Sequence, residues 1–177
     1  GVLFPERIGG RYYRMDRPNQ TVLEGGVVSG NTIFLSVSDD LLVWDPVAPV
    51  IQGRYHYWDE RIGSGPPPVK TEKGWLHLYH GIADHFGSAS IYQGGCMLLD
   101  LKDPSIVKAR SRYNIIEPRE IWELTGQVPN VVFPSGMIVE EYDDKGFARM
   151  DSPVKVYYGA ADTVIGLAEA TVRELID

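Results

Sequence analysis

The 177-residue sequence has a single cysteine, Cys96. No internal disulfide can form, and the expected compartment is a reducing one, the cytoplasm. No apolar run approaches the roughly 18 residues that a membrane-spanning helix needs. There is no run of Lys and Arg, and the formal net charge is −7. Neither nucleic acid nor a membrane is therefore an expected partner. No secretory signal pattern opens the chain. Metal-ligand spacings are missing too: the four histidines and the cysteine form no C-x-x-C or H-x-x-x-H pair, so no metal is expected. Gly9-Gly10 and Gly87-Ser88-Ala89-Ser90 precede no helix pattern, so neither reads as a phosphate-cradling loop. The absence of a Gly-x-Ser-x-Gly elbow leaves an acyl hydrolase unsupported. Helical periodicity is scarce. Only residues 168–177 (AEATVRELID) read as a helical turn or two, and they read equally well as the start of a strand.

What is present suits a globular all-β chain of one domain, 1–177. The sequence is 44% hydrophobic and holds 19 glycines, 12 prolines, 4 Trp, 10 Tyr and 5 Phe, a mix that predicts short aromatic strands between tight turns. Strands are expected at 10–15, 32–37, 75–79, 96–101, 137–140 and 154–158, separated by Gly9-Gly10, Asp39-Asp40, Lys73-Gly74, Asp103-Pro104 and Asp144-Lys145-Gly146. Three segments, beginning near Val2, Gly65 and Asn130, share a layout: a proline beside a short apolar strand, a glycine turn, then an aromatic-rich strand. Two of them end alike, in Gly81-Ile82-Ala83-Asp84 and Gly159-Ala160-Ala161-Asp162. Pro5, Pro67 and Pro134 are 62 and 67 residues apart. Long repeats of short antiparallel strands predict three blades of a β-propeller, with a β-sandwich as the alternative. Propellers typically close with about 4–8 blades, so three blades predict a longer protein or a completing partner.

These residues resemble one family. Val2-Leu3-Phe4-Pro5-Glu6, Arg17-Pro18, the stretch from Gly63 to Thr71 (GSGPPPVKT), Trp75 to Gly81, Pro129 to Pro134 and Tyr158 to Thr163 (YGAADT) are similar, in this order, to glycoside hydrolase family 130. That family holds the β-mannoside phosphorylases and their hydrolytic relatives. The resemblance covers essentially the whole chain. It implies a five-bladed propeller with the active site in the central cavity, this chain corresponding to the C-terminal three blades. It also implies phosphate-dependent cleavage of β-mannosides to α-mannose 1-phosphate with inversion. The family's general acid, an Asp, lies upstream of the segment matching Val2–Glu6, so no catalytic acid is expected here and the chain alone is expected to be inactive. Inorganic phosphate is implied as co-substrate, with no cofactor.

A phosphorylase needs cations that hold phosphate in line with the anomeric carbon, and Arg and Lys supply them as a planar fork and a point charge. The resemblance assigns phosphate contacts to Arg17, Lys70 and His85. Asp16 stands where the family often has His, which bears on the strength of the Arg17 contact. The resemblance assigns a sugar contact to Asp162; further sugar contacts are expected from Asp59 or its neighbour Glu60, His80 and Tyr158, with Tyr57 or Trp58 as a stacking surface. Each has a plainer reading. Lys70 is also a loop lysine, His80 a packed strand end, Asp162 a turn residue like Asp84, and the aromatics core between blades. A hydrolase would instead need a second carboxylate as base. A non-catalytic carbohydrate-binding propeller, or a homo-oligomer pairing open sheet edges, is the further alternative.

Overall fold

β9 (Gly74–Ala83) organises the fold. All ten of its residues are buried, which requires cover on both faces of its sheet. Alternation along the strand sends Trp75 and Tyr79 to one face and Leu76 and Leu78 to the other, and each pair joins a different core. The structure is a computed structural model. It describes the backbone of residues 1–22, 26–28, 30–84 and 90–177, and all of their side chains except those of 20–22 and 26–28.

Three antiparallel sheets follow one another along the chain. The first contains β1 (Val2–Leu3), β2 (Tyr12–Asp16), β5 (Thr32–Ser38) and β6 (Asp45–Gln52) in that spatial order. A two-stranded hairpin, β3 (Gln20–Val22) with β4 (Gly26–Val28), lies in the connection between β2 and β5. The second sheet has β7 (Arg61–Ser64) and β8 (Val69–Thr71) sharing one edge of β9, then β10 (Ile91–Leu99) and β11 (Val107–Arg110). The third has β12 (Val132–Val139), β13 (Pro153–Ala160) and β14 (Val164–Thr171). One core, with Met15, Leu35, Ile62, Trp75, Tyr79 and Leu99, joins sheets one and two. Another, with Leu76, Leu78, Leu98, Val154, Val156 and Val172, joins sheets two and three. Three sheets stacked in series are propeller blades, not the two layers of a sandwich.

The prolines that mark the repeat have a shared cause. β1, β7 with β8, and β12 each form an edge of their sheet, where a missing N–H interrupts no ladder. Pro5 follows β1, the residues 65–68 (GPPP) separate β7 from β8, and Pro134 sits beside a register shift in β12. The proline-bearing edges of blades two and three approach each other: a side-chain carbon at Gly65 would lie 3.1 Å from the Pro134 carbonyl oxygen.

Several strands carry no alternation strong enough to be read from sequence, namely β6, β7, β8, β11 and β14. The expected strand at 10–15 begins at Tyr12, because Ile8 and Arg11 close a turn through Gly9 and Gly10. The tail satisfies both of its readings. β14 runs to Thr171, and α2 (Val172–Ile176) starts there with Thr171 and Glu174 forming a capping box. A short helix, α1 (Ile121–Leu124), lies in the connection between blades two and three. Among the described residues no helix is long and apolar enough to cross a membrane.

Candidate functional site

Antiparallel order decides which ends of the strands meet. The connections between the second and third strands of each blade (17–31, 84–90 and 161–163) and the two that pass from blade to blade (53–60 and 111–131) all emerge at one end of the sheets. Arg17, His80, Asp84 and Asp162 therefore lie at one rim. His85 lies outside the described residues.

The tightest cluster there joins blades one and two. Arg17, just past β2, donates from Nη1 to the Ile62 carbonyl at 3.3 Å. Ile62 lies on β7, and its neighbour Gly63 pairs with His80 on β9. A side-chain carbon at Gly63 would lie 2.5 Å from His80 Nε2 and 2.9 Å from Arg17 Nη1, so only glycine lets the guanidinium and imidazole converge. His80 is 4% exposed and packs against Phe133 at a centroid distance of 4.2 Å. Its Nδ1 is buried without a hydrogen-bond partner among the described residues. Burial, then the Arg17 charge, pushes its pKa down to about 3. The imidazole is neutral at physiological pH, so of the two ways a histidine can meet an anion it has the hydrogen-bonding one.

Asp162 occupies the exposed tip of the β13–β14 hairpin. Ala161 and Asp162 have φ of +46° and +50°, a left-handed pair that Asp tolerates better than most residues. Its counterpart Asp84 is partly buried, paired with Arg61 and accepting from Ser90 Oγ at 2.5 Å. The two aspartates share a place in the repeat but not a setting: one is engaged, and the other extends from a turn into solvent.

Lys70 is not brought to this cluster. It pairs with Trp75 on β9, five residues from the Gly63–His80 pair, about 16 Å along the strand. Its Nζ donates to Glu6 Oε1 at 2.6 Å and lies 4.8 Å from the Phe147 ring centroid. Lys70 thus ties the inner edges of blades one and two at the opposite end of the sheets.

Two expected sugar ligands are otherwise occupied. Asp59 has no exposed surface. Its Oδ1 accepts from Arg54 Nε at 2.8 Å. Its Oδ2 accepts from Arg54 Nη2 at 2.8 Å, Arg110 Nη2 at 2.6 Å and the Tyr79 hydroxyl at 2.9 Å. A carboxylate so enclosed has no face for a sugar. It holds the 53–60 connection onto β11 instead. Tyr158 is 6% exposed and donates its hydroxyl to Glu123 Oε1 at 2.5 Å. Burial, then this bond, raises the phenol to about 12. Glu123 also accepts from the Arg119 and Glu120 amides, so the pair anchors α1 to β13. Arg54, Arg110 and Glu123 escaped the sequence reading. Asp59 and Arg110 are 51 positions apart, and nothing in the local pattern of either pairs them.

The family model for Glyco_hydro_130, described as beta-1,4-mannooligosaccharide phosphorylase, matches residues 1–177. The chain is 37% identical over 174 residues to a 1,2-beta-oligomannan phosphorylase of Thermoanaerobacter sp. (strain X514), covering 98% of this chain and 50% of that protein. It is 34% identical to a Beta-1,4-mannooligosaccharide phosphorylase of Ruminococcus albus, over 100% of this chain and 49% of that protein. Among solved structures it matches a Beta-1,2-Mannobiose phosphorylase from Listeria innocua with a TM-score of 0.81 and 36% identity, over 99% of this chain and 44% of that one. The chain spans about half the length of the curated relatives it matches.

Proposed function

Because the chain belongs to the Glyco_hydro_130 family and forms three blades of its five-bladed propeller, we propose that the protein cleaves β-mannosides by phosphorolysis, releasing α-mannose 1-phosphate. One observation carries the reading: a guanidinium and a neutral imidazole converge on Gly63 at the rim where the blade connections meet. A phosphorylase needs no second carboxylate, because its nucleophile is already an anion. A phosphate oxygen attacks the anomeric carbon from the face opposite the leaving sugar. The glycosidic bond breaks, and the leaving oxygen takes a proton from an acid. That acid is assigned to no residue of this chain.

In this proposal Arg17 orients phosphate, joined by His85, while Lys70, paired with Glu6 at the opposite end of the sheets, does not reach it. Asp162 accepts hydroxyl hydrogen bonds from the sugar, and His80 contributes one hydrogen bond at the same rim. Asp59 and Tyr158 act only through what they hold in place. Oligosaccharide and phosphate are the partners, and a cytoplasmic location suits an enzyme that yields a sugar phosphate.

The test uses the complete gene product with β-1,2- and β-1,4-mannobiose and mannosylglucose, with and without phosphate. Phosphate-dependent α-mannose 1-phosphate is expected, and Arg17→Ala should raise the KM for phosphate more than that for the mannoside. Free mannose formed at equal rates with and without phosphate overturns the proposal in favour of a hydrolase.

A further inference from the structure

The turn that carries Asp162 is held in a conformation that suits only one of its two central residues. Ala161 and Asp162 are both left-handed, with φ of +46° and +50°. The Thr163 amide donates across them to the Ala160 carbonyl at 3.0 Å. This is the form of a type I′ turn, whose usual residues are Gly, Asn and Asp. Asp162 fits that preference. Ala161 does not: it has neither the freedom of glycine nor a side-chain oxygen to bond its own backbone. Such a residue persists only where the surrounding structure over-determines it.

That structure is the connection from blade two. The Ala161 amide donates to the Val131 carbonyl at 3.0 Å, and the Val128 amide donates to the Ala161 carbonyl at 3.2 Å. The Thr163 hydroxyl closes the contact. Its Oγ1 accepts from the Gln127 amide and donates to the Ala161 carbonyl, both at 2.9 Å. Ala161 has no exposed surface. It fits against Gly126, where a side-chain carbon would lie 2.5 Å from both the Ala161 carbonyl oxygen and Thr163 Oγ1. The connection is fixed in its turn. The Tyr92 amide, on β10, donates to the Asn130 carbonyl at 2.9 Å, and the Val131 amide donates to the Glu123 carbonyl at 3.1 Å. The Asp162 carboxylate takes part in none of these bonds. The turn is therefore set against blade two, which carries His80, without using the carboxylate it presents.

We infer that Thr163 is a positioning residue: its hydroxyl clasps the β13–β14 turn to the 111–131 connection and so orients Asp162 toward the sugar. The inference rests on the sugar contact proposed for Asp162. A hydroxyl serves because one atom both donates and accepts. Val has nearly the same shape and does neither, whereas Ser keeps the hydroxyl and lacks only a methyl group.

The test is titration calorimetry of β-1,2- and β-1,4-mannobiose with the complete gene product in the absence of phosphate. Thr163→Val should weaken binding at least about fivefold, the effect of one lost hydrogen bond, while Thr163→Ser stays within about twofold of the parent. Gly126→Ala presses on the clasp from the other side with every hydroxyl in place, and it should weaken binding as well. In turnover, Thr163→Val should raise the KM for the mannoside but leave that for phosphate within about twofold, a split that general loss of stability does not produce. In an Asp162→Ala background Thr163→Val should have no further effect, because Thr163 acts through that carboxylate. Parental binding in Thr163→Val, failure of Ser to restore it, or an undiminished effect in the Asp162→Ala background overturns the positioning role. If Asp162→Ala weakens binding and Thr163→Val does not, the positioning role alone falls. If neither does, or the parent binds neither mannobiose, the sugar contact of Asp162 falls with it. If the binding pattern holds but phosphate cleaves nothing, the clasp stands and the phosphorylase reading falls.

Discussion

Replacing Asp59 by Asn should destabilise the protein by about 3 kcal/mol. The carboxylate has no exposed surface, while the side chains of its partners Arg54 and Arg110 are 31% and 17% exposed. Breaking a buried ion pair costs about 3–5 kcal/mol, because the surviving charge is left without compensation. Here the two guanidinium groups reach some water, which places the expectation at the lower end. Asn keeps the shape, but its amide would turn N–H groups toward the donors of Arg54, Arg110 or Tyr79. Urea unfolding followed by Trp fluorescence measures the change, with the slope checked for constancy. The loss should persist in 0.5 M NaCl, since buried pairs are little screened. The exposed pair of Arg11 and Asp39 provides the contrast: Asp39→Asn should produce no measurable change. A loss below about 1 kcal/mol for Asp59→Asn, or one that disappears in salt, refutes the argument that this carboxylate is a buried anchor.

Three further outcomes follow from the same geometry. His77 and His80 both have pKa values lowered to about 3 by burial, so the unfolded chain binds their protons first as pH falls below about 6.5. Stability should therefore drop between pH 6.5 and 4, and His80→Gln should reduce that slope by about 1.4 kcal/mol per pH unit; parallel stability curves for parent and variant would contradict the neutral assignment. Gly63→Ala should cost about 1–3 kcal/mol by overpacking and weaken phosphate use by displacing Arg17 or His80, measured as unfolding free energy and the KM for phosphate; a variant with parental stability would show that the two side chains give way freely. Asp162→Gly relieves a left-handed backbone at φ +50°, so stability should hold or rise by up to about 1 kcal/mol while the KM for the mannoside increases; an unchanged KM would return Asp162 to a turn residue alone.

The parts of the fold legible in sequence were those with a local cause. The prolines at 5, 67 and 134 and the alternation around Trp75–Tyr79 reflect edge strands and a doubly covered central strand. β6 and β14 could not be read in this way. β6 carries Pro46 and Pro49 at an edge, and β14 exposes Ile165 and Leu167, so neither shows the pattern of a half-buried strand. At the rim, Arg17 and His80 were legible as residue types, but their convergence depends on Gly63, whose contribution is an absent side chain. Asp59 was misread because a carboxylate beside two aromatics has the same local sequence whether it faces a cavity or two distant arginines.

The rim connections differ in length from blade to blade, while the ladders beneath them stay in register. The β13–β14 turn takes three residues, 161–163. The β2–β5 connection takes fifteen, 17–31, and accommodates a hairpin of its own. Insertions at these tips shift no strand and open no core. Such a scaffold lets the groups that meet a substrate drift, lengthen or be exchanged while the sheets keep their stability, and a change of linkage preference can arise in a few tip residues without a compensating change below.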